Sequence, residues 1–445
     1  MLSPSVETIA AIATAQGRGG VGVVRISGIA APRIALELLG ELPAPRFAKY
    51  GNFLDEQGQA IDQGIALYFV APHSYTGENV LELQGHGGTA VLQLLLQRCI
   101  DLGARLAEPG EFTRRAYLNN KLDLAQAESV ADLIEATTSE AARSAVRSLQ
   151  GDFSAEVHSM VKDLISLRML VEAMLDFPEE DIEVVDSTRC DLELRQISVR
   201  LSNTLQSAKQ GSLLREGAHI VLVGRPNVGK SSLINRLSGQ EVALVCDMPG
   251  TTRDVIRQAI QIRGVPLHII DTAGLRESQD AIENMGIERT HQTLKRADLI
   301  LLLLEANQNI TIQDESILAL LPKEIPQLKV FNKADLLLEE ADSSNTDNIY
   351  VSAKTGLGIE ALCDKLLVLV GWRSQENGVF MARTRHLQAL NVAQDHLASA
   401  KNVCQNSELF AEELRLAQQV LSSITGEFTA DDLLGEIFSR FCIGK

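Results

Sequence analysis

The chain lacks any apolar run long enough to cross a bilayer as a helix; the longest, such as LILLLLEA from Leu299 to Ala306, falls well short. No transmembrane helix is expected. The amino terminus, MLSPSVETIAAIATAQGRGG, has no basic stretch followed by a long apolar core. No secretory signal is therefore expected, and the protein is placed in the cytoplasm. Cysteine is sparse: six residues, Cys99, Cys190, Cys246, Cys363, Cys404 and Cys442, lie far apart with no CxxC pair. That spacing argues against a disulfide framework and against a zinc module. An excess of positive charge is also missing, because 41 Lys and Arg face 58 Asp and Glu for a formal charge of −17. Uniform coating of nucleic acid is excluded on that balance, so any RNA contact must be local or assisted by a partner.

What is present is room and changing pattern. The 445 residues suffice for roughly two to four domains. Residues 1–118 alternate short apolar runs with glycine, as in GGVGVVRISG and QGIALYFVAP, and read as a strand-rich α+β domain. Residues 119–212 change to helical spacing, with Leu122, Ala125, Val130, Leu133 and Ile134 expected on one stripe. Residues 213–376 alternate strand and helix, and 377–445 return to a helical pattern. A helical domain interrupted by an α/β insert accounts for both halves, since tips between helices tolerate insertion.

The insert opens with AHIVLVGRPNVGKSSLINRLSG, an apolar strand, then Gly224-x-x-x-x-Gly229-Lys230-Ser231, then a helix. This is a P-loop in its required context. Asn227, Val228 and Gly229 form the turn, while Lys230, Ser231 and Ser232 open the helix. Backbone N–H groups cradle the phosphates, Lys230 reaches the β and γ oxygens, and Ser231 ligates Mg2+. Further along, VFNKAD places Asn332, Lys333, Ala334 and Asp335 after an apolar strand. A carboxylate at Asp335 accepts from guanine N1–H and its exocyclic amine together, which adenine cannot offer, so the nucleotide is GTP. VSAKTGLG supplies Ser352, Ala353 and Lys354 as the loop whose amides meet the base carbonyl. PGTTRD and DTAG complete the order of a translation-factor-type GTPase. Thr252 and Asp271 then serve Mg2+, directly and through water, and Gly274 donates to the γ-phosphate. After DTAG, where a Gln would orient the attacking water, this chain carries Leu275.

Together with TGENVLELQGHGG near the start and the terminal CIGK, these motifs give the whole chain a close resemblance to the MnmE (TrmE) family of tRNA-modifying GTPases. The resemblance implies a folate-binding and dimerising N-terminal domain, a helical domain split by an inserted Ras-like P-loop GTPase domain, and activation when two GTPase domains meet. It implies K+ in the position of an arginine finger, with Asn227 as side-chain ligand and CDMPGTT supplying Cys246, Met248 and Thr251. Within that loop Asp247, Pro249, Gly250 and Thr252 join the GTP site, as do Thr272 and Ala273 beside Asp271. Glu283, in AIENMGIER, matches the water-orienting glutamate and answers the missing Gln. Without the family, Asn227 reads equally as a turn residue and Glu283 as part of a solvated helix face.

For the N-terminal domain the resemblance implies a 5-formyl or 5,10-methylene tetrahydrofolate bound by Arg25, Glu82, Lys121 and Lys445, and a catalytic candidate at Cys442. Read alone, Arg25, Glu82 and Lys121 are solvated surface residues and Cys442 an apolar packing residue. His86 stays unassigned. The implied partners are a second copy of the chain, the flavin-dependent MnmG in a heterotetramer or larger assembly, and tRNA, whose wobble uridine receives a carboxymethylaminomethyl-type group. The rival reading is a regulatory, RNA-associated GTPase of ribosome assembly without modification chemistry, and a second is a dimerisation scaffold whose hydrolysis times assembly.

Two further stretches carry expectations. GRGGVG, Gly17 to Gly22, has dinucleotide-motif spacing but leads into a strand, so its glycines serve a tight turn or a close backbone approach. MARTRH, Met381 to His386, and FTRRAYLNNK, Phe112 to Lys121, are the best local basic patches for an RNA backbone, or else folate or dimer contacts.

Overall fold

Alternation and helical periodicity resolve into two separate units in the computed structural model, which describes residues 7–15, 17–176, 183–240, 257–271, 297–337, 348–373, 379–426 and 444. One unit comprises Met1–Ala131, Leu149–Ile165 and Arg415–Lys445, the other Asp132–Ser148 and Ser166–Leu414.

The first unit holds β1 (Ile9–Ile12), β2 (Gly19–Ser27), α1 (Ala31–Leu39), β3 (Lys49–Leu54), β4 (Ala60–Phe69), β5 (Val80–Gly87), α2 (Thr89–Asp101), β6 (Arg105–Leu106) and α3 (Glu111–Leu118). Its six strands run in the order β3-β4-β5-β2-β1-β6. All neighbours are antiparallel except β1 and β6. The period of two sends Val24 and Ile26 of β2, with Leu81 and Leu83 of β5, into one core with Ile34, Leu38 and Leu95 of α1 and α2. Arg25 and Glu82 are thereby forced to the opposite face. There Ile9 and Ala11 of β1 pack with Phe112 and Tyr75. The glycine-rich entry to β2 is a close approach: a Cβ at Gly22 would lie 2.6 Å from the Leu92 methyls and 3.0 Å from Gly87 Cα.

Four helices follow: α4 (Leu124–Glu135), α5 (Ser139–Gln150), α6 (Asp152–Asp176) and α7 (Glu183–Glu216). The expected stripe is buried only in part: Ala125 is 3% exposed, and Val130 and Leu133 are partly buried against core clusters. Leu124, Ala127 and Ala131 form its core at i, i+3 and i+7, whereas Leu122 precedes the helix and Ile134 is 44% exposed. Small alanines share the burial with Leu124 there, so the size of a side chain did not mark which positions are buried.

The second sheet is built from β7 (Ala218–Val223), β8 (Arg257–Ile262), β9 (Val265–Asp271), β10 (Leu299–Glu305), β11 (Gln327–Asn332) and β12 (Asn348–Tyr350), with α8 (Lys230–Gln240), α9 (Ile312–Leu320) and α10 (Ile359–Leu369) between them. The order is β12-β11-β10-β7-β9-β8. Every pairing is parallel except the β8–β9 hairpin. Central β10, LILLLLE, is buried on both faces over its first six residues, as a strand covered by helices on each side requires. The hairpin turn is Arg263 and Gly264, at φ 49° and 81°. Two left-handed residues match the twist of the flanking strands. Helices α11 (Thr384–Asn402) and α12 (Ser407–Thr425) close the described chain. The architecture is that of a strand-rich α+β domain and a helical domain interrupted by a Ras-like P-loop domain.

Candidate functional site

A parallel sheet collects its loops at the carboxyl ends of its strands, where ligands bind. Gly224 after β7, Asp271 ending β9, Glu305 ending β10 and Asn332 ending β11 all lie at such ends. Asn227 at φ 63° and Gly229 at φ 100° give the P-loop the left-handed turn that brings successive amides inward. A Cβ at Gly229 would stand 2.3 Å from Asn332 Nδ2, so glycine is required there for space as well as for φ. The Lys230 ammonium folds over the loop and donates to the Gly224 and Arg225 carbonyls at 2.9 Å each. Ser231 and Ser232 are exposed on the first turn of α8, while Val228 is buried and Asp271 is 6% exposed. Arg225 is tied away to Asp314 at 2.9 Å, a carboxylate that also caps α9 through Thr311.

Asn332 acts as a staple between loops. Its Nδ2 donates to the Val228 carbonyl at 2.9 Å, and its Oδ1 accepts from Ala353 N–H at 3.1 Å. Both ends of the amide are thus engaged by protein, so Asn332 holds the P-loop and the SAK loop in register. Lys333, at φ 64°, pairs with Glu305. Ala334 N–H donates to the Val351 carbonyl at 3.0 Å. The Ser352 hydroxyl donates to Asp335 Oδ1 at 2.6 Å and accepts from Thr355 N–H at 3.1 Å. Arg236 of α8 donates to the carbonyls of Ala353 and Lys354. Neither Arg236 nor Glu305 was singled out in the sequence; the spacing of Arg236 after Lys230 on one helix was the available signal.

Several expected site residues lie outside the described residues: Cys246, Asp247, Met248, Pro249, Gly250, Thr251, Thr252, Thr272, Ala273, Gly274, Glu283, Cys442 and Lys445. Among the described residues no group of three or more His, Cys, Asp or Glu side chains is placed to hold a metal ion. The described donors, the Asn227 amide and the Ser231 hydroxyl, are neutral oxygens of the kind that suit Mg2+ and K+ beside phosphate.

On the open face of the first sheet Arg25 and Glu82 stand in register on β2 and β5, Nε to Oε1 at 2.8 Å, with side chains 21% and 17% exposed. They are therefore not solvated surface residues. The guanidinium carbon lies 5.4 Å from the Tyr75 ring centre and 5.7 Å from that of Phe112, and Nη1 reaches the Gly444 carbonyl at 3.4 Å. The penultimate residue thus sits at this pair. A Cβ at Gly444 would fall 2.3 Å from the Ile12 carbonyl. Tyr75 and Phe112 were not singled out in the sequence; Phe112 is fully buried and Tyr75 partly so, both in the small core cluster with Ile9 and Ala11. Lys121 is exposed, with its stem near Gly77, and no contact joins it to the Arg25–Glu82 pair.

The two basic patches are largely consumed internally. Arg115, 4% exposed, pairs with Glu78 and Glu111 at 2.9 Å each. Arg383 and Arg215 share Asp132 at 2.8 and 2.9 Å, and Met381 and His386 are buried. Arg115 and Arg383 are therefore not free surface cations, whereas Arg114 and Lys121 stay exposed. Glu111 feels burial most strongly, which raises its pKa. Hydrogen bonds from Arg105, from the Glu108 N–H and from Arg115 overcome that and hold it at about 2. Burial pushes the Cys99 thiol up to about 12, and among the described residues no cysteine is in a disulfide.

The P-loop, the NKAD and SAK loops joined beside it and the parallel sheet define a P-loop GTPase. Residues 8–121 match the model for the GTP-binding protein TrmE N-terminus, and residues 124–442 the MnmE helical domain. A curated relative from Nitrosospira multiformis, tRNA modification GTPase MnmE, is 60% identical over 99% of this chain and 99% of its own. The protein of the same name from Nitrosomonas eutropha is 58% identical, again over 99% of each. Among solved structures, Era of Aquifex aeolicus bound to GDP and aluminium fluoride is 26% identical over 40% of this chain and 66% of its own, with a TM-score of 0.29. The chain belongs to the MnmE (TrmE) family.

Proposed function

We propose that this GTP hydrolase of tRNA modification works with a flavin-dependent MnmG partner to add a carboxymethylaminomethyl-type group to the wobble uridine, taking a one-carbon unit from 5-formyl or 5,10-methylene tetrahydrofolate. Hydrolysis in tRNA modification follows from family membership along the full length, and it uses GTP and Mg2+. The finer reading assigns 1–118 to folate binding and homodimerisation, 119–212 and 377–445 to the helical domain, and 213–376 to GTP. It places the protein in the cytoplasm; among the described residues no helix is long and apolar enough to cross a membrane.

In this reading Ser231 and Thr252 would hold Mg2+, with Asp271 as a further partner of the ion. Asn227, Cys246, Met248 and Thr251 hold K+, which when bound supplies positive charge opposite the charge developing on phosphate. Glu283 orients the attacking water, a role open to a carboxylate held within reach of it. GTPase-domain association and separation then transmit the cycle to the helical domain.

The folate assignment is carried by one observation: the Arg25–Glu82 pair, flanked by Tyr75 and Phe112, receives the carbonyl of Gly444. A carboxylate there suits the pterin amine and ring N–H, cations at Arg25, Lys121 and Lys445 suit the glutamate tail, and the partly exposed Tyr75 ring suits a flat heterocycle. Cys442, two residues before Gly444, is the candidate nucleophile. Calorimetric titration of the full chain with 5-formyl-tetrahydrofolate tests this. Saturable binding is expected; its absence would favour a regulatory GTPase without modification chemistry.

A further inference from the structure

We propose that Arg236 is a positioning residue for guanine recognition: from behind the SAK loop its guanidinium aims the Lys354 N–H at the base carbonyl. The proposal rests on the reading of this site as a GTP site. Arg236 lies on α8, six residues after Lys230. Its Nε donates to the Ala353 carbonyl at 2.9 Å, and its Nη2 donates to the Lys354 carbonyl.

The peptide joining Ala353 to Lys354 is planar and trans, so its C=O and N–H point in opposite directions. A cationic donor at that oxygen fixes the plane. It also polarises the unit, making the N–H on the far side a stronger donor. The neighbouring amides are already engaged, Ala353 N–H with Asn332 Oδ1 and Thr355 N–H with Ser352 Oγ, at 3.1 Å each. Among the described residues the Lys354 N–H donates to no protein group, which leaves it for guanine O6.

The second bond from Arg236 acts on the next peptide. Its carbonyl is that of Lys354 and its N–H is that of Thr355, which supports Ser352 Oγ; that hydroxyl in turn donates to Asp335 at 2.6 Å. One planar fork therefore stands behind both groups that read guanine, the amide for O6 and the carboxylate for N1–H and the exocyclic amine. Gly356, at φ 93°, turns the loop so that a Cβ there would meet the guanidinium carbon at 3.9 Å. Lysine would have to reach both carbonyls from a single nitrogen, without the planar two-armed fork that fixes their spacing.

Binding of GDP, inosine diphosphate and 2-aminopurine riboside diphosphate to the full chain tests this in Arg236→Ala and Arg236→Lys. GDP and inosine diphosphate, which both carry the 6-carbonyl, are expected to weaken roughly tenfold in Arg236→Ala. The 2-aminopurine nucleotide lacks that oxygen and keeps only the exocyclic amine, so it is expected to weaken clearly less than GDP, and Arg236→Lys to fall between wild type and Arg236→Ala. Should Arg236→Ala not fold, the same contrast is read from Arg236→Lys. An equal loss for all three nucleotides, or none for GDP, overturns the proposal. Failure of the wild-type chain to bind GDP would instead overturn the reading of the site.

Discussion

Arg25 and Glu82 face each other in register across β2 and β5, joined at 2.8 Å on the side of the sheet turned away from α1 and α2. The pairing follows from strand alternation once Val24, Ile26, Leu81 and Leu83 are committed to the core. A ligand that takes Glu82 as its acceptor must share it with Arg25. Glu82→Gln keeps the shape and removes the charge, so affinity for 5-formyl-tetrahydrofolate is expected to fall about tenfold or more in a calorimetric titration. Unchanged affinity would reduce the pair to a structural link between strands.

Asn332 joins the P-loop to the SAK loop through both atoms of its amide. Asn332→Ala leaves a buried carbonyl and a buried N–H without their partner, at a cost of about 1–3 kcal/mol. Lower thermal stability and weaker GDP binding are expected together. A variant that binds GDP normally would show that the two loops hold their register without the staple.

Glu111 offers a pH test. Its folded pKa, about 2, lies below the ordinary glutamate value near ~4.3, so the stability it contributes is present above that value and is lost as pH falls through about 2. Amide exchange in β1, β6 and α3 is the local readout. Glu111→Gln is expected to lower protection there by roughly 3 kcal/mol near neutral pH, with the gap closing toward pH ~2. A gap independent of pH would assign the loss to shape and not to charge.

The nucleotide site was legible in the sequence because its parts are local. A left-handed turn before a helix, and a carboxylate after an apolar strand, are properties of a few consecutive residues. Arg115 and Arg383 were misread for the opposite reason. Glu78 and Glu111 neutralise the first, and Asp132, far away in the chain, engages the second. Only the tertiary fold brings Asp132 and Arg383 together, so a basic-looking run conceals an internal ion pair. Ile134 lies on the same face as Ala127 and Ala131, at i+7 and i+3, and is exposed because α4 ends one residue later at Glu135. Arg236 escaped notice because its two acceptors are backbone carbonyls of a distant loop, which no side-chain pattern announces.

GTP turnover in KCl and in NaCl at equal ionic strength, for wild type and for Asn227→Ala, is the most direct measurement of how the phosphate site works. Asn227 stands exposed in the P-loop at φ 63°, free to turn its side-chain oxygen toward a monovalent ion beside the phosphates. Roughly tenfold or greater acceleration by potassium, lost in Asn227→Ala, is the expected result. Equal wild-type rates in the two salts would contradict a cation acting where an arginine would otherwise stand.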